Sequence, residues 1–202
     1  MSDMKREGTA FIVGHAQNFM LDEKGLNTAW GVWKYAKETR MIENTKKAIE
    51  KAREARVPII YIKLDIRPQV LPNIGFWKQV KEIDFTKITP SEVEFQFGIV
   101  EELAPHPEDY IVTNYNTMDG FHNTDLEQIL KALKCDTLIF TGVATNLCLE
   151  TTVRSAFNRG YNTIVLSDCV ATMNEELQKF PINVIFPMLG EVTTAEKLKI
   201  TS

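Results

Sequence analysis

The chain has 202 residues, 44% of them apolar and 25% charged, a balance that fits one soluble α/β domain with a sizeable core. A net charge of −4 without a Lys/Arg stripe excludes nucleic acid and anionic membrane as expected partners, and no apolar run reaches the length of a bilayer span. Three cysteines without CxxC or CxxxH spacing make neither a disulfide framework nor a zinc site, and the charged start lacks a signal peptide's apolar stretch, so a reducing cytoplasm is expected.

In chain order, "TAFIV" (9–13) reads as a strand buried on both faces. Residues 20–43, rich in tryptophan and without clear periodicity, fit either a helix or a lid. "NTKKAIEKAREARV" (44–57) has helical spacing through Ile49, Ala52 and Ala55 and runs into a second buried strand, "VPIIYIKL" (57–64). "DYIVTN" (109–114) is a third. "TDLEQILKALK" (124–134) opens with Thr124 and Glu127 at the spacing of a capping box. "DTLIFTGV" (136–143) is a fourth strand, "NLCLETTVRSAFNRG" (146–160) a helix stopped by Gly160, and "NTIVLSD" (162–168) a fifth strand. Pro181 and Pro187 break the helical pattern of 173–190 into a bent or two-piece segment, and "EVTTAEKL" (191–198) reads as a last short strand and its helix. Strand–helix alternation with short connections predicts a three-layer α/β/α fold, a mostly parallel sheet with helices on both faces, in a single domain over 1–202.

Ligands of such sheets bind beyond the carboxyl ends of the strands. Three strand ends carry candidates: His15, Asn114 and the segment "GVATNLC" (142–148). Gly142 permits close backbone approach, Thr145 or Asn146 can cap a helix, and Cys148 then falls in that helix's first turn. Unpaired N–H groups and the helix dipole favour a thiolate there, so the spacing predicts a lowered thiol pKa and amides able to hold an oxyanion. The alternative is that Cys148 is a small buried hydrophobe, as most free cysteines are.

"TAFIVGHAQN", "VPIIYIKLDIRP", "PEDYIVTN", "FHNTDLEQILKAL", "DTLIFTGVATNLCLETTVRSAFNRGYNTIVLSDCVAT" and "PMLGEVTTAEKL" follow one another as in the isochorismatase-like cysteine hydrolases. That superfamily includes nicotinamidases, N-carbamoylsarcosine amidohydrolases, and biuret- and ureidoacrylate-type amidases. The resemblance implies a six-stranded sheet, assembly as a homodimer or homotetramer, a cis Val143–Ala144 peptide, and an oxyanion hole made by the amides of Ala144 and Cys148. It also exposes two departures. The family's triad is an aspartate after the first strand, a lysine after the third, and the cysteine. His15 stands where the aspartate belongs. Asn114 stands where the lysine belongs when counting from "PEDYIVTN", and Tyr115 when counting back from "DGFHNTDL".

His15 therefore admits three readings: catalytic base, structural histidine, or remnant of a decayed site. Cys, His and Asn are the residue types of papain-like proteases, and imidazole matches a thiol better than an ordinary carboxylate near neutral pH. Asn114 would fix the ring's tautomer. The leading expectation is a Cys148–His15–Asn114 hydrolase cleaving a C–N bond of a small amide or ureido compound. The alternatives are a non-catalytic small-molecule-binding or redox-sensing protein, and hydrolysis at another centre such as an ester or vinyl ether. No cofactor is expected. A metal would need more ligands than Asp65 beside His15, and His106 and His122 lie in segments that do not clearly face it. Gln17 and Asn18 either orient His15 or cap the turn. Gln17, Tyr115, Trp30, Trp33 and Trp77, with Phe76, are candidates for the substrate pocket, while the tryptophans serve equally for subunit contact. Cys135 and Cys169 are expected to be structural.

Overall fold

The computed structural model describes residues 4–201. Its strands are β1 (Met4–Lys5), β2 (Thr9–Gly14), β3 (Ile59–Asp65), β4 (Tyr110–Tyr115), β5 (Thr137–Val143), β6 (Asn162–Ala171), β7 (Gly190–Thr193) and β8 (Ile200–Thr201). Its helices are α1 (Asn18–Leu21), α2 (Val32–Glu38), α3 (Met41–Glu54), α4 (Gly75–Lys81), α5 (Pro90–Phe97), α6 (Leu126–Ala132), α7 (Glu150–Asn158), α8 (Glu175–Phe180) and α9 (Phe186–Leu189). Six strands form one sheet in the order β4-β3-β2-β5-β6-β7, every pair parallel, and β1 and β8 form a separate parallel pair.

The period of two along each strand explains why the sheet strands read as unbroken apolar runs. Phe11, Val13, Ile59, Tyr61, Ile139 and Ile164 join one core with residues of α1, α2 and α3. Ala10, Ile12, Ile60, Ile62, Leu138, Phe140 and Val165 join a second core with residues of α6, α7 and α9. Both faces of the sheet are thus covered, which parallel sheets require. The three-layer arrangement is the one the strand–helix alternation predicts.

Some local expectations need correction. "DYIVTN" is an edge strand rather than a buried one: Tyr110, Ile111 and Tyr115 are exposed, and only Val112 and Asn114 point inward as fully buried residues. The helix expected over 44–57 begins earlier and ends sooner. Arg56 adopts a left-handed φ of 58°, and Pro58 disfavours helical backbone before it. Thr124 does not form a capping box. Its hydroxyl accepts from Leu126 N and donates to Gly120 O, while Glu127 pairs with Lys131 at 2.8 Å. Among the described residues, no helix follows β7. The turn there is held instead by Lys51 Nζ, which donates to Ala195 O and Glu196 O at 2.6 and 3.0 Å. Residues 20–43 contain the end of α1, a 3-10 turn at Thr28–Trp30, α2 and the start of α3. Within 173–190 the backbone is helical without interruption from Glu175 to Leu189, passing through both prolines, with a π-helical stretch Pro181–Ile185 between α8 and α9. None of the described helices is long and apolar enough to cross a membrane.

Candidate active site

The strand order turns at the β2–β5 pair: the chain proceeds from β2 toward β4 on one side and from β5 toward β7 on the other. The crevice beyond the carboxyl ends of these two strands is the switch point at which open α/β sheets place their ligands. His15 follows β2 directly, and Cys148 follows β5 by five residues. Gly14 and Gly142 are register partners, and a Cβ at Gly142 would lie 1.9 Å from Gly14 O. With φ at +113°, Gly142 occupies backbone space that L side chains rarely adopt. This close approach of two glycines brings the two strand ends together.

His15 has a left-handed φ of 50°, uncommon for a non-glycine residue and shared in this chain by Arg40, Arg56, Asn116, Asn123 and Lys134. Its N–H donates to Ile62 O, and its carbonyl accepts from Gln17 N, both at 2.8 Å, so hydrogen bonds on both sides hold the turn. The side chain is buried, and Nε2 has no hydrogen-bond partner. Burial pulls the imidazole pKa down to about 4, with the Asn114 side chain beside the ring pulling the other way. Asn114 is fully buried; its Nδ2 donates to Thr117 O at 3.1 Å, and its Oδ1 is without a partner. Asn114, rather than Tyr115, therefore stands by the histidine. Tyr115 faces outward on the edge strand, under the Arg67 guanidinium at 3.7 Å.

Cys148 lies in a π-helical stretch, Thr145–Leu149, that runs into α7; Leu147 N and Leu149 N both donate to Ala144 O at 3.1 Å. Single π turns inside helices recur at functional sites. The Val143–Ala144 peptide is cis, as the family resemblance implies. The backbone N–H groups of Ala144 and Cys148 both point at the sulfur. Neither Thr145 nor Asn146 caps the helix: Thr145 Oγ1 is buried without a partner, and Asn146 Oδ1 accepts from Thr172 Oγ1. The lowered thiol pKa predicted from the helix start is not found. Burial pushes the Cys148 thiol up to about 12, outweighing the two backbone N–H groups. Burial therefore disfavours the charged form of both the thiol and the imidazole.

A cavity of about 20 Å³ opens onto both side chains. Trp30, Phe76 and Trp77 line it as an edge-to-face cluster, with ring centroids 5.0 and 4.9 Å apart, together with Phe19, Met20, Leu64, Met118 and Leu147. The second group was missed in the sequence, because an apolar residue facing a cavity has the same pattern as one facing the core. A smaller cavity of about 10 Å³ touches His15 and Cys148 from the other core, between Ile12, Ile62, Phe140 and Leu149.

Several candidates lie elsewhere. Gln17 is structural: its Nε2 donates to Leu64 O and Phe97 O at 2.9 Å, and its Oε1 accepts from Leu64 N at 2.8 Å, which clamps β3 to the end of α5. Asn18 donates to Phe95 O. Trp33 donates to Thr28 O and does not line the cavity. Trp30 is half-buried and lines the cavity. Asp65 accepts from Ile66 N, His106 pairs with Glu108, and His122 lies against Asn123; none of the three lines the cavity, and the described residues contain no cluster of three metal-ligating side chains. Burial raises the thiol pKa of Cys135 to about 11 and raises that of Cys169 as well.

Residues 9–197 match the model of the isochorismatase domain. Among named proteins, the chain is 29% identical over 206 residues to the ureidoacrylate amidohydrolase RutB of Agrobacterium fabrum, covering 95% of this chain and 88% of that one. It is 31% identical over 139 residues to the protein of the same name from Methylobacterium radiotolerans, covering 63% of this chain. In that case the match spans little more than half of the relative's length, 54%. Among solved structures, a cysteine hydrolase from Pseudomonas syringae pv. phaseolicola superposes with a TM-score of 0.79 at 28% identity, covering 98% of this chain and 93% of that one. N-carbamoylsarcosine amidase from Thermoplasma acidophilum shares the fold, with a TM-score of 0.72 at 22% identity and coverage of 96% and 98%.

Proposed function

The chain belongs to the isochorismatase family, and from that premise we propose that it is a cysteine-dependent hydrolase cleaving a C–N bond, amide or ureido, in a small molecule. One observation carries the reading: the side chains of Cys148 and buried His15 line one cavity at the sheet's switch point, with the N–H groups of Ala144 and Cys148 beside the sulfur. In the proposed reaction the sulfur attacks the substrate carbonyl while His15 takes the thiol proton. Because both groups rest neutral, attack and proton transfer proceed together, and the negative charge passes to the carbonyl oxygen rather than resting on sulfur. The two backbone N–H groups hold that oxygen. His15 then gives its proton to the leaving nitrogen, the C–N bond breaks, and water assisted by His15 hydrolyses the thioester. Asn114 orients the imidazole.

The same burial also favours a second reading, a binding protein whose thiol stays inert. Incubation of the wild-type protein with a panel of simple amides and ureido compounds separates the two. Ammonia or amine release that is lost in Cys148→Ala, with a thioester adduct in the intact mass of wild type, supports the hydrolase. Binding without release by any member supports the second reading.

The oligomer and its setting belong to the same proposal. Leu177, Phe180, Val184 and Met188 are exposed along the α8–α9 segment, with Met188 at 74%, and they supply an apolar face for a homodimer or homotetramer. The three free cysteines suit a reducing, cytoplasmic setting.

A further inference from the structure

We infer that the Cys148 cavity selects an uncharged carbonyl compound whose acyl side is hydrocarbon or aryl, and rejects substrates carrying a carboxylate. The inference rests on the hydrolase reading of the site and narrows its substrate class. Ureidoacrylate, the substrate in the relatives' name, is a carboxylate, so this chain would differ from them in what it accepts.

The lining carries the argument. Apart from His15 and Cys148, the cavity wall consists of apolar side chains, with no Lys, Arg, Asp, Glu, Asn, Gln, Ser or Thr among the described residues. A carboxylate needs a cation or several donors when it leaves water. The imidazole supplies no charge at neutral pH, since burial keeps it unprotonated. The Ala144 and Cys148 amides are directed at the sulfur. Arg67, which follows β3 at the same end of the sheet, lies over Tyr115 on the edge strand and is absent from the cavity wall.

The shape adds a second constraint. A cavity of about 20 Å³ has room for little more than one water. A substrate must therefore part the wall, and the elements available to move are the short Thr28–Trp30 turn and α4, which carry the Trp30–Phe76–Trp77 cluster. A flat or aliphatic group replaces ring–ring contact with ring–ligand contact, whereas a hydrated anion must shed its water against indole and phenyl faces. Two of the chain's three tryptophans line the cavity, so binding reports in their fluorescence.

Butyramide and succinamate are matched probes of nearly equal length, the second carrying a terminal carboxylate, and benzamide is the aryl probe. In Cys148→Ala, tryptophan fluorescence is expected to change saturably with butyramide and benzamide, with succinamate binding weaker by about 10²-fold. In wild type, ammonia release should show the same order in kcat/KM. Trp77→Arg, which places a cation in the wall, should shift the succinamate-to-butyramide ratio of kcat/KM by tenfold or more toward succinamate. Because it is a ratio, it is insensitive to any fraction of misfolded variant. Equal or tighter binding of succinamate, or no saturable response to either neutral amide, overturns the inference. Succinamate cleaved as well as butyramide overturns it while the hydrolase reading stands. Neutral amides that bind in the expected order but release no ammonia support the selectivity of the cavity and overturn the hydrolase reading.

Discussion

A buried neutral histidine makes folding stability depend on pH in a direction that can be worked out in advance. In the unfolded chain the imidazole takes up a proton as pH falls through about 6.5, whereas in the folded protein it resists until about 4. Between these values the unfolded state binds more protons, so stability is fully present above pH 6.5, falls as the solution is acidified, and levels off below about 4. At about 1.4 kcal/mol per tenfold, the gap corresponds to about 3 kcal/mol, a large share of the margin of an ordinary domain. Carboxylates titrate over part of the same range, so the perturbation must be isolated by difference. His15→Gln keeps a polar side chain of similar reach without a titrating group. Urea unfolding of wild type and His15→Gln at half-unit steps from pH 7.5 to 3.5 should give curves that converge by about 3 kcal/mol on acidification, because only wild type loses this contribution. Curves that run parallel through the whole range would refute the claim that His15 is held neutral by burial. The neutral resting pair in the proposed mechanism would fall with it.

Other consequences are independent of that one. Labelling of Cys148 by iodoacetamide, followed by peptide mass, should be slow at pH 7 and climb about tenfold per pH unit to pH 10 without levelling, since burial pushes the thiol up to about 12; a plateau near neutral pH would show a stable thiolate. Gly142→Ala should cost about 3 kcal/mol or more in urea unfolding, because the new Cβ would meet Gly14 O at 1.9 Å on a backbone with φ at +113°; a loss below about 1 kcal/mol would mean that β2 and β5 separate without penalty. Met188→Glu should lower the assembly state in light scattering while leaving ammonia release per chain unchanged at saturating substrate, because Met188 is exposed and lies outside the cavity; an unaltered oligomer would move the interface to another face.

The order of strands and helices and the parallel sheet follow from local features of the sequence: unbroken apolar runs, helical spacing, and the glycines and prolines between them. These features are legible because backbone conformation and burial periodicity are set by neighbours in the chain. Gly142 is a case where a residue type alone announced a close approach, and Gly14 opposite it supplies the reason. The roles of polar residues around the site could be assigned only once the tertiary contacts were known. Gln17 sits two residues from His15, yet its side chain bridges Leu64 and Phe97, 47 and 80 residues away. Asn114 and Tyr115 are adjacent in sequence, and the pleat of the edge strand turns one toward His15 and the other toward solvent. The helix start at Cys148 is local and argues for a thiolate; the cavity wall around the sulfur also draws on residues as distant in sequence as Phe19, Trp30, Leu64 and Trp77, and burial outweighs the local amides. A pKa and a pocket's polarity are sums over everything within reach in space, and only the folded chain determines which residues those are.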